Sequence, residues 1–245
     1  MTKIWSETMF SRILGRGVWG PGVLGLGLLA GLLAFQAKAI DEGIDYTKVP
    51  QPQPTETEGK IEVLEFFWYG CPHCWLLEPV LNQWRATMPA SAAFRRSPAI
   101  LGPSWEPRAR AYFAAELMGK VDVIHEPLFR AIHVEKRRLQ DLDAITKFVV
   151  RLGLDGAAFK EAYESFFVEM QVRRATELGK AFALDGVPAV VINGKFRTSA
   201  TQAGSNEKLL KVVNFLIERE AKAAPDVAPA PPAAPVQAVP AAPAS

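Results

Sequence analysis

The chain has 245 residues, a formal net charge of +2, 49 % apolar residues, two cysteines and three histidines. A near-neutral charge balance with no basic run argues against nucleic acid as a partner. Two cysteines, with His125 and His133 eight positions apart, do not supply the four-ligand spacing of a structural zinc site; no metal and no other cofactor is expected.

Residues 1–39 read as a targeting segment. Lys3, Arg12 and Arg16 form a basic start, residues 17–37 carry no charge, and Ala37-Lys38-Ala39 has the small-x-small form of a cleavage site. A signal peptide cleaved after Ala39 is expected; the competing reading is an uncleaved membrane anchor, weakened by glycines and Pro21. Either form delivers the thiols to an oxidising compartment. The leader holds four of the 28 basic and one of the 26 acidic residues, so the mature chain has 24 basic and 25 acidic residues. Residues 40–60 are polar and Pro-rich and read as a linker, with one short extended piece near 46–49.

Residues 63–84, VLEFFWYGCPHCWLLEPVLNQW, organise the rest of the chain. Val63, Leu64, Phe66, Phe67 and Trp68 form an apolar run of the kind a strand buried on both faces requires. Gly70 ends it. Beyond Cys74 the apolar positions Leu77, Val80, Leu81, Trp84 and Met88 recur at helical spacing. Cys71 and Cys74 therefore fall where a strand gives way to a helix, with Pro72 suited to the first helical turn. A disulfide between them closes too short a loop for a structural staple, and two inert buried thiols are the plain alternative to a redox pair. A helix start offers unpaired N–H groups and partial positive charge. The N–H groups of His73 and Cys74 and the ring of His73 should lower the pKa of Cys71, making it a good leaving group. Cys74, one turn inside the helix, should be more buried and keep an ordinary or raised pKa.

Residues 92–100 have the composition of a second strand. Helical periodicity extends over 106–118, 121–134, 141–152 and 157–184, with Gly119 and Gly153 as stops, Asp141 and Asp155 as caps and a break near Ser165. Pro127 implies a kink or a later helix start. These segments read as a helical domain, about 104–184, inserted into an α/β fold. Trp105, Tyr112, Phe113 and Phe129 read as its core rather than a groove, and His125 and His133 as surface or capping residues. Gly186-Val187-Pro188 leads into a short apolar strand at 189–192, and Asn193-Gly194 signals a tight hairpin. Residues 205–220 form an amphipathic helix that ends the domain begun at 61. Residues 221–245, with 7 prolines and 11 alanines, cannot bury a core and should be disordered.

The CPHC after LEFFWYG, together with GVPAVVINGKF, resembles the DsbA family of periplasmic thiol:disulfide oxidoreductases. The resemblance implies a thioredoxin-like fold with an inserted helical domain and a redox-active disulfide between Cys71 and Cys74. It implies a cis Pro188 facing the two cysteines, which leaves the Val187 backbone to pair with an extended substrate segment. The family also has an acid at the position of Glu65, which would relay protons to and from Cys74; the plain alternative is a glutamate that reaches solvent at the strand end. From its position alone, Trp75 would offer apolar surface to an unfolded substrate or simply pack its helix. The implied activity is donation of the disulfide to reduced, unfolded secreted proteins in the periplasm, with reoxidation by a membrane quinone-linked partner of the DsbB type. Residues 40–60 leave no room for the N-terminal dimerisation domain of DsbC-type isomerases, which favours an oxidase over an isomerase; a monomer is expected. An isomerase or reductase on the same fold and a non-catalytic periplasmic chaperone are the alternatives.

Overall fold

The computed structural model describes residues 39–223. The expected leader, apart from Ala39, and the expected tail beyond Ala223 lie outside the described residues. In chain order come β1 (Thr47–Lys48), β2 (Ile61–Phe67), α1 (Pro72–Arg85) and β3 (Ala92–Pro98). A 3-10 turn at Pro103–Trp105 leads into α2 (Glu106–Leu117), α3 (Val121–His133), α4 (Leu142–Arg151), α5 (Gly156–Glu164) and α6 (Phe166–Ala181). The chain then returns through β4 (Ala189–Ile192), β5 (Phe196–Thr198), α7 (Ala200–Ala203) and α8 (Asn206–Ala223).

The strands form one sheet in the order β1-β5-β4-β2-β3. Only β2 and β3 run parallel, joined by the crossover through α1. Every residue of β2 is buried. Val63 faces a cluster of Leu77, Leu81 and Trp84 of α1 with Leu209, Val213 and Leu216 of α8. Leu64 and Phe66 face the other way, onto Phe182, Ala189 and Val191. Phe67, at the strand end, enters a third cluster built by α2 to α6. This alternation puts Glu65 on the α1 face, opposite Arg96 of β3 in register.

Local signals set the helix ends. The side chains of Asp141, Asp155 and Ser165 accept from the first backbone amides of α4, α5 and α6. Gly119 and Gly153 have φ of 65° and 85°, which ends the preceding helices at little steric cost. α3 begins at Val121 and contains Pro127, so Pro127 does not start it. Asn193 and Gly194 both have positive φ, as a tight two-residue hairpin demands. α8 runs to Ala223 rather than stopping at 220, because Ala221, Lys222 and Ala223 are all good helix formers.

Residues 40–60 do more than link. β1 extends the sheet beside β5, Val49 N donates to Lys195 O at 2.9 Å, and Gln53 N donates to Gly194 O at 3.0 Å. A Cβ at Gly194 would lie 2.0 Å from the Gln53 carbonyl oxygen, so only glycine admits this crossing. Tyr46 is buried edge-on against Phe196, and its hydroxyl accepts from Arg219 Nη1 at 2.7 Å. The linker reading misses this because Tyr46 and Val49 are isolated apolar residues in a polar stretch. A Tyr46→Ala substitution is expected to lower the unfolding free energy by about 3 kcal/mol in urea titration, as removal of a buried aromatic ring does; a passive linker would show no change.

Candidate active site

β2 delivers the chain to Gly70, and Cys71 caps α1 with extended backbone angles of −87° and 117°. Pro72 takes the first helical position, and the Cys71 carbonyl accepts from Trp75 N at 3.2 Å to open the helix. Cys71 is only 7 % exposed and Cys74 is fully buried; both are free thiols, so the pair is in its reduced form. Pro72 and His73 are exposed, and Trp75 is half-buried, stacked on His133 with ring centroids 6.2 Å apart.

The first sulfur ionises readily. Its pKa falls from 9.0 to about 6, chiefly because the Cys74 thiol hydrogen-bonds the anion. Burial opposes ionisation, while the backbone amides of Cys74 and His73 and the charge of His73 assist it. The amides and the His73 ring follow from a helix start. The Cys74 thiol contribution does not, because it requires the two sulfurs to face each other. Cys74 shifts the opposite way: burial, then its hydrogen bond to Cys71 and the Cys71 charge, push its pKa far up. It stays a thiol.

The Val187–Pro188 peptide is cis. As a thiol, Cys71 donates to the Val187 carbonyl at 3.3 Å. This contact favours the protonated form and is lost on ionisation. A cleft of about 430 Å³, lined by Asp185, Gly186, Val187, Pro188, Arg197 and Gln202 among others, opens on the same loop.

Beneath the pair lies a chain of buried polar groups. Glu65 is fully buried; its Oε2 accepts from Arg96 Nε at 2.8 Å and its Oε1 has no partner. Burial raises its pKa to about 7, against the attraction of Arg96 and with added repulsion from Glu78. Arg96 also donates to Glu78 Oε2 at 2.7 Å. Glu78 Oε1 lies 3.1 Å from His125 Nε2, and His125 Nδ1 lies 2.9 Å from the Tyr69 hydroxyl. Burial opposes ionisation of Glu78, yet the hydrogen bond from His125 and the charge of Arg96 hold its carboxyl below the usual range. Burial also lowers the His125 pKa. The assignment that satisfies every group is a neutral His125 with the proton on Nε2, donating to ionised Glu78 and accepting from the Tyr69 O–H.

His125 is thus neither a surface nor a capping residue. It is ringed by Phe67, Tyr69, Tyr112 and Phe129, with centroids 5.0–6.1 Å away. His133 does not cap either: half-buried, its Nε2 lies 2.8 Å from the Tyr69 carbonyl oxygen. Tyr112, Phe113 and Phe129 are core residues, whereas Trp105 is half-buried and stacks on Trp68. Glu78 and Arg96 escape a motif-based reading. Their one signal is a charge set in the buried stripe of α1, between Leu77 and Leu81, and another in the middle of β3.

Three outcomes are expected. The thiolate ultraviolet absorbance of the reduced enzyme should fall on acidification with a midpoint at about pH 6, without a second step from Cys74 near neutrality. Because its folded pKa lies below its unfolded one, Cys71 adds about 1.4 kcal/mol to the stability of the reduced form at pH 7. That gain vanishes as pH falls through about 6, so the stability gap between reduced and oxidised protein narrows there. His125→Leu strands the Glu78 carboxylate and the Tyr69 hydroxyl, and should cost about 2 kcal/mol in urea titration.

Comparison with known proteins agrees with this geometry. Residues 91–211 match the model of the DSBA-like thioredoxin domain. The thiol:disulfide interchange protein DsbA of Azotobacter vinelandii is 38 % identical over 215 residues, 88 % of this chain and 100 % of that protein. The protein of the same name from Pseudomonas aeruginosa PAO1 is 38 % identical over 192 residues, 78 % of this chain and 91 % of its own. The crystal structure of P. aeruginosa DsbA superposes with a TM-score of 0.71 at 38 % identity, covering 75 % of this chain and 95 % of that one. Xylella fastidiosa DsbA gives 0.68 at 30 % identity, covering 73 % and 96 %. A redox pair at a helix start, on a thioredoxin fold with a helical insert, in a chain this similar to them, places the protein in the DsbA family of thiol:disulfide oxidoreductases.

Proposed function

We propose that the chain oxidises reduced, unfolded secreted proteins by passing on a disulfide held between Cys71 and Cys74. The observation that carries this reading is the depressed pKa of Cys71, about 6, beside a buried neutral thiol. A substrate thiolate attacks the Cys71 sulfur of the oxidised pair; the S–S bond breaks and its electron pair leaves on Cys74. Cys74 is a poor anion where it sits and takes up a proton. Glu65 supplies it: its pKa of about 7 lets it give and accept protons near neutrality, and its charge acts on Cys74. A second substrate thiolate then attacks the substrate sulfur of the mixed disulfide and expels Cys71 as a stable thiolate. Two substrate thiols become one disulfide, and the enzyme disulfide becomes the dithiol.

Pro72 fixes the helix start, His73 adds its charge beside the first sulfur, and Val187 and Pro188 present backbone to an extended substrate next to that sulfur. Trp75 adds apolar surface at the rim. The enzyme works as a monomer in the periplasm, exported by the leader over 1–39, and a DsbB-type membrane partner linked to quinone reoxidises it. Among the described residues no helix is long and apolar enough to cross a membrane. The relatives' shared name favours the oxidase over an isomerase or reductase.

Stoichiometric oxidised enzyme mixed with a reduced model protein should yield the disulfide-bonded product and reduced enzyme. Cys74→Ser should accumulate a mixed disulfide on Cys71, and Cys71→Ser should abolish transfer. Titration against glutathione should place the pair among strong oxidants. Suppression of aggregation without any disulfide transfer would instead identify a chaperone.

A further inference from the structure

Arg108, in α2, is the most deeply buried lysine or arginine of the described residues, at 5 % exposure. Arg96 is nearly as buried but lies between two carboxylates. No carboxylate among the described residues pairs with Arg108. Its Nε donates to the Leu139 carbonyl at 2.8 Å, and its guanidinium carbon lies 5.7 Å from the centre of the Trp68 ring. Burial lowers its pKa and no neighbouring charge offsets this. Among the described residues its two terminal nitrogens have no acceptor, yet neither is sealed from solvent. The Trp68 ring, stacked on Trp105 at 4.3 Å, carries a buried N–H that also lacks a partner.

Gly70 lets the guanidinium and the indole pack close against the backbone beside Cys71. A Cβ there would lie 2.7 Å from Arg108 Nη1 and 2.4 Å from the Trp68 ring. Any other residue would collide with the indole and the guanidinium. Donors without acceptors and a positive charge without a counterion therefore gather beside the residue that precedes Cys71. Leaving such a charge unpaired in a buried site is costly unless something arrives to pair it.

We infer that Arg108, framed by Gly70 and Trp68, is a subsite for an acidic side chain carried by the substrate polypeptide next to its reacting cysteine. The inference rests on the oxidase reading and adds a substrate preference to it. A carboxylate suits the planar fork of the guanidinium, which binds it through two parallel hydrogen bonds. Because Arg108 Nη1 lies against Gly70, the residue before Cys71, the acidic side chain is expected close to the substrate cysteine in sequence. Arg108 is here a specificity residue; it takes no part in the exchange of electrons.

The test uses three reduced dithiol peptides, identical except for Glu, Gln or Lys beside the first cysteine, and the full-length oxidised enzyme. Each rate is divided by the rate of the same peptide with oxidised glutathione, which removes the effect of the neighbour on the peptide thiol itself. The normalised Glu peptide is expected to react about tenfold faster than the Lys peptide at low salt, which corresponds to about 1.4 kcal/mol. The preference should shrink to about twofold at 0.5 M salt. Because the readout is a ratio within each enzyme, general losses of activity cancel: Arg108→Gln should bring it to about one, and Arg108→Lys should keep part of it. A ratio near one in the unsubstituted enzyme, or one unchanged in Arg108→Gln, overturns the subsite. Should Arg108→Gln fail to fold, the ratio and its salt dependence in the unsubstituted enzyme decide alone. Failure to oxidise even the Gln peptide would overturn the oxidase reading itself, a separate result.

Discussion

A negative charge on one sulfur, at the point where α1 begins, is the condition on which the active arrangement depends. Burial works against it, since a 7 % exposed anion forfeits most of its hydration. Three local donors outweigh that loss: the Cys74 thiol and the amides of Cys74 and His73. Each is held in place by ordinary packing. β2 is buried along its whole length and fixes where the strand ends, and Leu77, Leu81 and Trp84 anchor α1 against the sheet. Trp84 Nε1 also donates to Asn214 of α8 at 2.8 Å, tying the active-site helix to the C-terminal one. The fold is in this sense a frame for three hydrogen-bond donors.

The two buried acids beneath the sulfurs show how small differences in partnering divide similar groups. Glu65 and Glu78 both lie against Arg96, and both are out of water. Glu78 receives two further donors, His125 and Asn82, and its carboxyl is held below the usual range. Glu65 has one donor and one unpartnered oxygen, and its pKa rises to about 7. The added donors separate an acid held ionised from one that exchanges its proton near neutral pH.

Whatever is local in this structure is legible in the sequence. The strand–helix junction at Gly70, the caps at Asp141 and Asp155, the break at Ser165 and the Asn193-Gly194 hairpin each depend on a few neighbouring residues. The family resemblance adds the cis peptide before Pro188, which base rates alone would not favour. Features that need distant partners are not legible. Tyr46 reads as part of a linker because Phe196 and Arg219, which bury it, lie at the far end of the chain. His125 has the pattern of a surface histidine until Tyr69 and Glu78 are set on either side of it. Arg108 looks like any charge on an exposed helix face, because its burial comes from Trp68 and the Leu139 loop rather than from its own helix.

The contact between Cys71 and the Val187 carbonyl joins residues 116 positions apart. An isolated helix of 14 residues is marginal in water, so α1 and its donors persist only while the sheet supports them. A newly made copy of this protein, before its two ends have met, therefore carries two cysteines of ordinary acidity. At that stage it is itself a dithiol awaiting oxidation, indistinguishable in chemistry from its own clients, and it acquires its power to oxidise them only by completing the task it will later perform on their behalf.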